Sequence, residues 1–380
     1  MKNIPTKAAL LFSNYGPYHI ARLESLGSDT YHNSIQAIGI ELSRSEKKYP
    51  WQSQLQSTRL PIISIIENIS LEDTWFLTLI PKLTATLKEV DPKILAISGY
   101  FNPLMLVALF WCRLRSRPAI LFSETTESDF TRVWWKEKIK GFIVRQFKAA
   151  LVGGEPHKNY LVKLGIPEEA IFTGYDVVGN QVFHPQQIEH YAKPLNKPFF
   201  LSINRFVSKK NIFRLVDAYD KYRQESGDET WDLVLCGDGE LRSQIEQQIK
   251  DLNLEQFIHL PGFLQQEEML PYFAHAGCFV HASTMEQWGL VVNEAMAAGL
   301  PVLVSERCGC FADLVIKGVN GFGFDPYNSE QLTKLMLKIS SDDCDREKMG
   351  QASLKHIEKY SPDYFAQGFV KAVEYATTHS

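Results

Sequence analysis

Two carboxylates, two cations and a glycine stand out in the second half of the sequence. Glu286 and Glu294 lie on either side of Gly289, and Arg205 and Lys210 follow an earlier apolar segment. Cationic side chains of this kind neutralise phosphate, whereas carboxylates repel phosphate and accept hydrogen bonds from hydroxyl groups. The set therefore predicts chemistry on a ligand that carries both phosphates and hydroxylated rings.

The positions of these residues relative to the predicted helix suggest a role for each. A helix that begins at Gly289 would offer free amides and the positive end of its dipole to a diphosphate. Arg205, as a bidentate fork, and Lys210, as a point charge, would neutralise the phosphates. Glu294, in the second turn, would accept hydrogen bonds from a ribose, and Glu286, before the helix, from a sugar at the other end of the diphosphate.

Glycine-containing turns follow two further apolar segments. Gly237 and Gly239 come after WDLVLC and are small enough to let a ligand approach the backbone. Gly262 and Phe263 come after FIHL, where backbone groups would recognise a base. This pattern does not match a dinucleotide-binding G-x-G-x-x-G motif, because Arg242 stands at the third glycine position and the next strand does not end in an acidic residue.

Each feature has a simpler explanation when taken alone. The acids could be a helix-terminus charge and a solvated residue, the cations a solvated loop, and the glycines an ordinary turn. Their joint placement after successive strands favours a binding site, because ligands of open α/β sheets lie beyond the carboxyl ends of the strands.

Short apolar segments alternate with amphipathic ones in both halves, which predicts an α/β chain with parallel sheets. The strands predicted for the first half are 8–13, 94–99, 119–124, 149–154 and 170–176. Those of the second half are 199–204, 231–237, 257–262, 278–283 and 301–305, with helices at 211–225, 240–252, 267–275 and 289–298.

A chain of 380 residues exceeds what one core usually organises, so two domains are expected. The stretch 185–198 is polar and aperiodic and contains three prolines, which predicts a linker. The domains would then be 1–184 and 199–357. A last helical segment, 358–380, is expected to pack back on the first domain.

Composition narrows the class of protein. The chain is 45% hydrophobic and 22% charged, and its net charge of −4 argues against a nucleic-acid partner. The apolar runs 8–12 and 103–111 are too short for a secretion signal or a membrane span, so a cytoplasmic protein is expected. Cys308 and Cys310 have no second Cys/His pair at zinc-site spacing, so no metal is predicted.

Four segments of the second half resemble the retaining glycosyltransferases of the GT-B fold, family 4 or group 1. They are INRFVSKKN, LVLCGDGELR, HLPGFLQQEEML and HASTMEQWGLVVNEAMAAGLPVLVSERCGCFADLVIKGVNGFGFDP. The resemblance covers roughly 199–326. It implies two Rossmann-like domains facing each other across a cleft, an acceptor-binding domain first and a donor-binding domain second.

The resemblance also implies roles. The two acids of the family's motif contact the donor sugar and the nucleotide ribose, which corresponds to Glu286 and Glu294 here. Its Arg and Lys neutralise the leaving diphosphate, which corresponds to Arg205 and Lys210. The implied donor-binding positions are Gly16, Gly237, Gly239, Gly262, Phe263, Gln287, Trp288, Gly289, Leu290 and Glu294.

The first half resembles the family less. FSNYGPYHIARL is similar to its first loop, in which Gly16 would allow close approach to the donor. A histidine that commonly contacts the transferred sugar is replaced by Glu124 after the strand ILFS. The contact would pass to Glu124, to Glu127 or to His19. Otherwise Glu124 is a surface acid at a strand end and His19 is bonded locally.

The activity implied is transfer of a hexose, with retention, from a UDP- or GDP-linked donor to a hydroxyl of a glycan, lipid or small molecule. Attack would occur on the front face, with neither metal nor another cofactor. Two alternatives stay open: a GT-B nucleotide-sugar epimerase, and a catalytically silent nucleotide-sugar-binding protein.

The segment 131–151 is both aromatic and basic. Trp134, Trp135, Phe142 and Phe147 alternate with six Lys and Arg side chains. Such a segment could lie on an anionic membrane, as a peripheral contact at its inner face. It could equally be a domain helix with its aromatic side chains in the core and its cations in solvent.

Overall fold

The computed structural model describes residues 5–46, 58–129, 132–227 and 230–379. The chain divides into two compact units. The first comprises residues 1–179 and 360–380, and the second comprises residues 180–359.

The first unit is built on a sheet of seven parallel strands, in the order β3-β2-β1-β4-β5-β6-β7. The strands are β1 Thr6–Phe12, β2 Ile35–Ser43, β3 Ile62–Ile66, β4 Ile94–Ser98, β5 Ala119–Ser123, β6 Ala149–Val152 and β7 Ile171–Thr173. The first helices are α1 Pro17–Ser25, α2 Phe76–Val90, α3 Pro103–Leu114, α4 Trp134–Val144 and α5 Glu155–Leu164. Helices α2 to α5 contribute to the core on one face of the sheet, and α1 contributes to the core on the other.

The second unit has a sheet of six parallel strands, in the order β10-β9-β8-β11-β12-β13. They are β8 Phe199–Ile203, β9 Asp232–Cys236, β10 Ile258–Gly262, β11 Cys278–His281, β12 Val302–Ser305 and β13 Gly321–Phe324. The helices are α6 Asn180–Phe183, α7 Pro185–Ile188, α8 Ile212–Ser226, α9 Arg242–Asp251, α10 Gln266–His275, α11 Leu290–Ala297, α12 Phe311–Leu314, α13 Ser329–Ser340 and α14 Arg346–Ile357. The chain then returns to the first unit as α15, Pro362–Thr378.

Helix α15 covers the face of the first sheet that α1 also covers. Phe365, Phe369 and Ala372 are fully buried there, against side chains of β5 and β6. Gly368 lies so close to the sheet that a Cβ at this position would be 2.2 Å from the carbonyl oxygen of Thr173.

The ten predicted strands are present, each ending within three residues of its predicted end. Strands β2, β3 and β13 were not predicted. Strand β2 contains Gly39 and the acid Glu41, which interrupt the apolar pattern, yet both are buried. Glu41 accepts a hydrogen bond from Ser64 of β3 and pairs with Arg44. Whether a strand can bury a polar residue depends on its tertiary contacts, which the local sequence pattern does not show.

The segment 185–198 is not an independent linker throughout. Its first residues form α7, where Ile188 is 1% exposed and the helix packs against α10. The imidazole of His275, at the end of α10, also lies 2.7 Å from the carbonyl oxygen of Tyr191. The start of this segment therefore belongs to the second unit.

The aromatic and basic segment 131–151 is not one helix. Thr131 lies outside the described residues, α4 ends at Val144, and residues 149–151 are buried in β6. Phe147 is 5% exposed and belongs to the core, so it cannot take part in a membrane contact.

Candidate active site

The predicted cations and acids of the second unit meet at the carboxyl edge of its sheet. Strand order reverses between β8 and β11, because β9 and β10 lie on one side of this pair and β12 and β13 on the other. Arg205 and Lys210 follow β8, and Glu286 follows β11. Such a reversal point opens a crevice between loops that turn opposite ways, and it is where α/β sheets bind ligands.

Local hydrogen bonds fix the position of Lys210. It ends a 3₁₀ turn, Ser208–Lys210, and the next residue, Asn211, has a left-handed backbone with φ of 58°. The side-chain amide of Asn211 donates to the carbonyl oxygens of Ala282 at 3.0 Å and Pro326 at 2.7 Å. The Thr284 amide donates in turn to the carbonyl oxygen of Lys209 at 2.8 Å. The turn is thereby attached to the loop that carries Glu286.

Lys210 and Glu286 form an ion pair. The Nζ of Lys210 donates to Oε2 of Glu286, both side chains are 13% exposed, and Lys209 Nζ lies 3.9 Å from Oε1. Burial alone would raise the pKa of Glu286, but the charge of Lys210, the adjacent His281 imidazole and the charge of Lys209 hold it well below its usual range. Glu286 is therefore an anion at neutral pH, and its oxygens can only accept hydrogen bonds.

Two polar side chains beside this pair were missed in the sequence. Nε2 of His281 lies 3.6 Å from Oε2 of Glu286, and the Ser283 hydroxyl lies 3.3 Å from that nitrogen and 3.4 Å from the same oxygen. Both residues belong to the segment CFVHAS, which reads as an ordinary buried strand. The sequence feature that could have pointed to this site is His281, a polar residue at the last position of an otherwise apolar strand.

His281 is fully buried and neutral. Burial lowers the pKa of His281, and the charge of Lys210 lowers it further, against the opposing effect of Glu286. Its Nδ1 is buried and has no hydrogen-bond partner among the described residues. A proton on Nε2 is therefore favoured, because it faces an acceptor, and this side chain orients the Glu286 carboxylate.

Helix α11 begins at the predicted position. Gly289, the N-cap residue, has φ of 104° and has no side chain with which to cap the helix. A Cβ at Gly289 would be 3.4 Å from both Glu286 Cγ and His281 Nε2, so a larger residue would press on the ion pair. Gln287 is half-buried in the preceding loop, and Leu290 is the first helical residue.

Two predicted donor-binding side chains are enclosed by protein. Trp288 is 1% exposed, and its indole donates to Oδ1 of Asn293 at 2.8 Å. Glu294 lies in the second turn of α11 and is also 1% exposed. The contact of Glu294 with a ribose stays a prediction, and Trp288 acts through packing of the loop that precedes α11.

The glycines after β9 serve the chain's own backbone. A Cβ on Gly237 would lie 1.7 Å from the carbonyl oxygen of Asn204, and one on Gly239 would lie 2.6 Å from that of Phe206. The Phe206 amide donates to the Asp238 carbonyl at 2.8 Å. The loop with the GDG sequence thus packs directly against the loop that carries Arg205. This close backbone contact requires glycine at 237 and 239, whereas the sequence predicted glycine there to let a ligand approach.

The remaining donor-side positions lie at the same edge. Arg205 is half-buried in the loop after β8, and the Val207 amide donates to its carbonyl oxygen at 2.9 Å. Gly262 ends β10 with φ of 91° and accepts from the Gly237 amide at 2.7 Å. Phe263 follows and is 40% exposed.

The first unit holds three predicted residues at the carboxyl edge of its own sheet. Gly16 is the N-cap of α1, and the ring of His19 packs 4.2 Å from that of Phe12. Desolvation, followed by the charge of Arg22, lowers the pKa of His19 to about 3, so it is neutral at pH 7. Glu124 directly follows β5 and is half-buried.

A buried acid that was not predicted orders the Gly16 loop. Glu41, at the end of β2, is fully buried and accepts from the Tyr15 amide at 2.8 Å and from the Ser64 hydroxyl at 2.5 Å. Nε of Arg44 lies 3.0 Å from Oε1 of Glu41, the oxygen that also accepts from Ser64, whereas Tyr15 donates to Oε2. Glu41 therefore fixes the backbone immediately before Gly16.

Within the described ranges, no three His, Cys, Asp or Glu side chains are grouped so that they could hold a metal ion. No described helix is both long enough and apolar enough to cross a membrane.

The neutral state of His281 leads to a pH-dependent stability. Its folded pKa lies below its unfolded value of about 6.5, so the unfolded chain takes up a proton that the native chain does not. This contribution to stability is complete above that pH and is lost as the pH falls below it, by at most about 1.4 kcal/mol per pH unit. We expect His281→Gln to reduce the loss of unfolding free energy between pH 7 and pH 5.

Denaturant titrations at several pH values measure this slope. His190→Gln is the control, since His190 is exposed in the same unit. Glu286 titrates at lower pH and leaves this window clear. Equal slopes for His281→Gln and the unmodified chain would contradict a neutral buried imidazole.

Part of the chain is similar in sequence to known proteins. Residues 184–356 match the family model of the glycosyl transferases group 1. A curated relative, the amylovoran biosynthesis glycosyltransferase AmsK of Erwinia amylovora, is 28% identical over 194 residues, which is 50% of this chain and 46% of that protein. The poly(glycerol-phosphate) alpha-glucosyltransferase of Bacillus subtilis is 28% identical over 172 residues, 45% of this chain and 25% of that protein. The chain thus spans half or less of the length of these relatives.

Solved structures resemble the chain over nearly its whole length. Anabaena Alr3699/HepE, solved with UDP and glucose, superposes with a TM-score of 0.75 at 17% identity and covers 97% of this chain and 99% of its own. Sucrose-phosphate synthase from Thermosynechococcus elongatus gives 0.74 at 16% identity, over 99% of this chain and all of its own. At these identities the likeness establishes the fold.

The two sheets, of seven and six parallel strands with helices on their faces, confirm the predicted pair of Rossmann-like units. The chain thus has the GT-B fold, and its residues 184–356 are similar to the glycosyl transferases of group 1.

Proposed function

We propose that this protein is a retaining glycosyltransferase that moves a hexose from a nucleotide-linked donor to an acceptor hydroxyl. The observation that carries the proposal is the Lys210–Glu286 pair at the reversal point of the second sheet, beside the start of α11 at Gly289. A cation and an anion held together there match a ligand with a diphosphate on one side and a hydroxylated ring on the other.

The donor in this proposal is UDP- or GDP-linked. Support comes from Anabaena Alr3699/HepE, which was solved in complex with UDP-glucose and shares the fold. The diphosphate lies at the N-terminus of α11, where amide groups and the helix dipole favour negative charge. Arg205 and Lys210 balance the charge that develops on the leaving phosphate.

Transfer takes place on the front face of the donor sugar. The bond between the anomeric carbon and the phosphate oxygen breaks, the acceptor oxygen attacks from the same side, and the departing phosphate oxygen takes the acceptor's proton. The protein's part is to hold cations where negative charge grows, an effect worth about 3–4 kcal/mol per well-placed donor. Glu286 orients the hexose by accepting its hydroxyl hydrogens, and Glu294 accepts those of the ribose.

A thermal-shift panel of nucleoside diphosphates tests the donor site. A ligand at a hundred times its Kd should stabilise the protein by about 2.7 kcal/mol. The matching nucleotide sugar should then be hydrolysed slowly without an acceptor. Arg205→Ala should weaken this binding, whereas Arg346→Ala, remote in sequence and at the start of α14, should not.

The outcomes are distinct. Stabilisation by one nucleoside diphosphate together with hydrolysis of its sugar conjugate supports a transferase. Tight binding without turnover would assign the chain to nucleotide-sugar-binding proteins, and no shift with any nucleotide would reject the proposed donor site.

A further inference from the structure

Helix α4 presents large apolar side chains to solvent. Trp134 is 71% exposed, Phe142 66%, Ile139 52% and Trp135 48%. The opposite side of the helix is closely packed, since Gly141 and Val144 are buried and a Cβ on Gly141 would lie 2.9 Å from the carbonyl oxygen of Leu164. The aromatic side chains of α4 therefore do not form a core, which contradicts the interpretation of a two-faced domain helix.

Cations flank these apolar side chains, and acids do not. Lys136 and Lys138 are exposed on α4, and Arg145, exposed just after its end, lies beside the Leu164 carbonyl oxygen at the end of α5. The Lys136 Nζ lies 5.5 Å from the ring centre of Trp135, and the Lys138 Nζ lies 5.0 Å from that of Trp134. Each of these lysines thus places its ammonium group over an exposed indole ring.

The acid of this helix faces elsewhere. Glu137 accepts from Lys140 Nζ at 2.8 Å and from the Tyr160 hydroxyl at 2.6 Å, toward α5. It is therefore already neutralised within the unit. The solvent-facing side of α4 carries positive charge only.

The exposed surface extends beyond α4. Lys140 Nζ lies 5.9 Å from the ring centre of Phe101, which is 65% exposed just before α3. Phe110 and Leu114 are exposed along α3, next to the exposed cations Arg113 and Arg115. Helices α3 and α4 join neighbouring strands and belong to the same helix layer.

We propose that this aromatic–basic surface, the outward faces of α3 and α4 with Phe101, docks on the surface of an anionic lipid bilayer. Indole rings partition to the boundary between headgroups and acyl chains, and flanking lysines attract anionic headgroups. A protein partner fits less well, because lysine is depleted from the cores of protein interfaces. The net charge of the whole chain, −4, also makes a general attraction to anionic surfaces insufficient, so that contact requires this local surface.

Co-sedimentation with vesicles tests the proposal. The full chain is mixed, at low salt and without nucleotide, with vesicles of equal parts phosphatidylcholine and phosphatidylglycerol, and separately with pure phosphatidylcholine. We expect binding to the first, little binding to the second, and loss of binding as salt is raised.

Two variants address the two components of the surface. Lys136→Glu with Lys138→Glu should lower the partition coefficient by about tenfold or more, since each cation contributes about 1 kcal/mol near an anionic surface. Trp135→Gln with Phe142→Gln should lower it through the lost apolar contact. The matched control is Lys355→Glu with Lys371→Glu, exposed positions on α14 and α15 with the same change of net charge.

These variants change exposed side chains, so their melting temperatures should match that of the unmodified chain. Absence of binding at low salt would overturn the proposal, and so would equal losses in the α4 variants and the control. Self-association that Phe142→Gln abolishes, without vesicle binding, would assign the surface to a second copy of the chain. The assay contains no donor, so its outcome is independent of the proposed transferase activity.

Discussion

Lys210→Ala is expected to lower kcat of sugar transfer by about a hundredfold to a thousandfold, the usual effect of removing one charge-stabilising donor. Its side chain is 13% exposed and directed at the carboxylate of Glu286, at the edge where the donor is proposed to lie. Initial rates of nucleotide-sugar hydrolysis and of transfer to an added acceptor give the measurement. A variant with the unmodified rate would remove Lys210 from the mechanism.

The neighbouring lysine provides a matched control. Lys209 is 42% exposed and lies 3.9 Å from the same carboxylate, so Lys209→Ala changes the same net charge in nearly the same place. Exposed pairs at this distance contribute little. We expect Lys209→Ala to keep most of the activity, and an equal loss in both variants would point to a general charge effect instead of a directed contact.

A second measurement separates two ways in which Lys210 could matter. If Lys210 only holds Glu286, its loss should leave the affinity for a nucleoside diphosphate unchanged, because that ligand lacks the sugar. If it contacts the diphosphate, the affinity should fall by about tenfold or more, since a hydrogen bond to a charged group contributes about 1.5–3 kcal/mol. Glu286→Gln should lower kcat yet keep the nucleoside diphosphate affinity.

Folding must be followed in parallel. Lys210→Ala leaves a largely buried carboxylate without its main partner, which costs about 3–5 kcal/mol when a pair is fully buried. Calorimetric melting of each variant, with and without nucleoside diphosphate, shows whether a lost rate comes from a lost fold. The proposed role requires that the melting transition of the second unit persists at the assay temperature.

The second unit was predictable because its strands are short, apolar and evenly spaced. Parallel strands bring their carboxyl ends to one edge, so residues as distant as Lys210 and Glu286 could be placed together before any coordinates. Their direct pairing could not be predicted in this way. It depends on Asn211, whose left-handed backbone and two hydrogen bonds attach the 3₁₀ turn to the following loops.

Contacts that depend on side-chain direction were harder to predict. His281 lies at the last position of β11, and only its buried position next to Glu286 reveals that it orients the acid. Glu41 interrupts an apolar strand, which hid β2 in the sequence, yet it orders the loop before Gly16. In α4, periodicity alone could not decide which side faces the core, and exposure of Trp134 resolved it.

The glycines at 237 and 239 show how a correct position can have a different physical cause. They were predicted to make room for a ligand, whereas in the structure they avoid steric clashes with the chain's own backbone. The carbonyl oxygen of Asn204 occupies the place that a side chain at 237 would need. Ligand approach and backbone crossing lead to the same residue, so the sequence could not distinguish them.

Gly237→Ala is therefore expected to destabilise the second unit by about 3–5 kcal/mol, the range of severe steric and backbone changes. The new Cβ would lie 1.7 Å from the carbonyl oxygen of Asn204, at φ of 137°, so either the loop after β8 or the loop after β9 must move. Thermal or denaturant unfolding of the purified chain measures the effect. A loss below 1 kcal/mol would mean that the loops can separate freely, because Gly→Ala is not destabilising where the site can accommodate the new Cβ.

A graded series keeps this test informative even if Gly237→Ala fails to fold. Gly239→Ala places its Cβ 2.6 Å from the Phe206 carbonyl oxygen and should be destabilised less. Gly227→Ala, with φ of 67° and no described atom within 4 Å of the new Cβ, carries only a backbone penalty of about 1–3 kcal/mol. Destabilisation that rises from Gly227 to Gly239 to Gly237 would establish that contact between the two loops, more than backbone conformation, requires glycine after β9.

Because Arg205 lies in one of these loops, the same series should also lower nucleoside diphosphate affinity in that order. Unchanged affinity in Gly239→Ala would show that the donor site does not depend on the contact between the loops after β8 and β9.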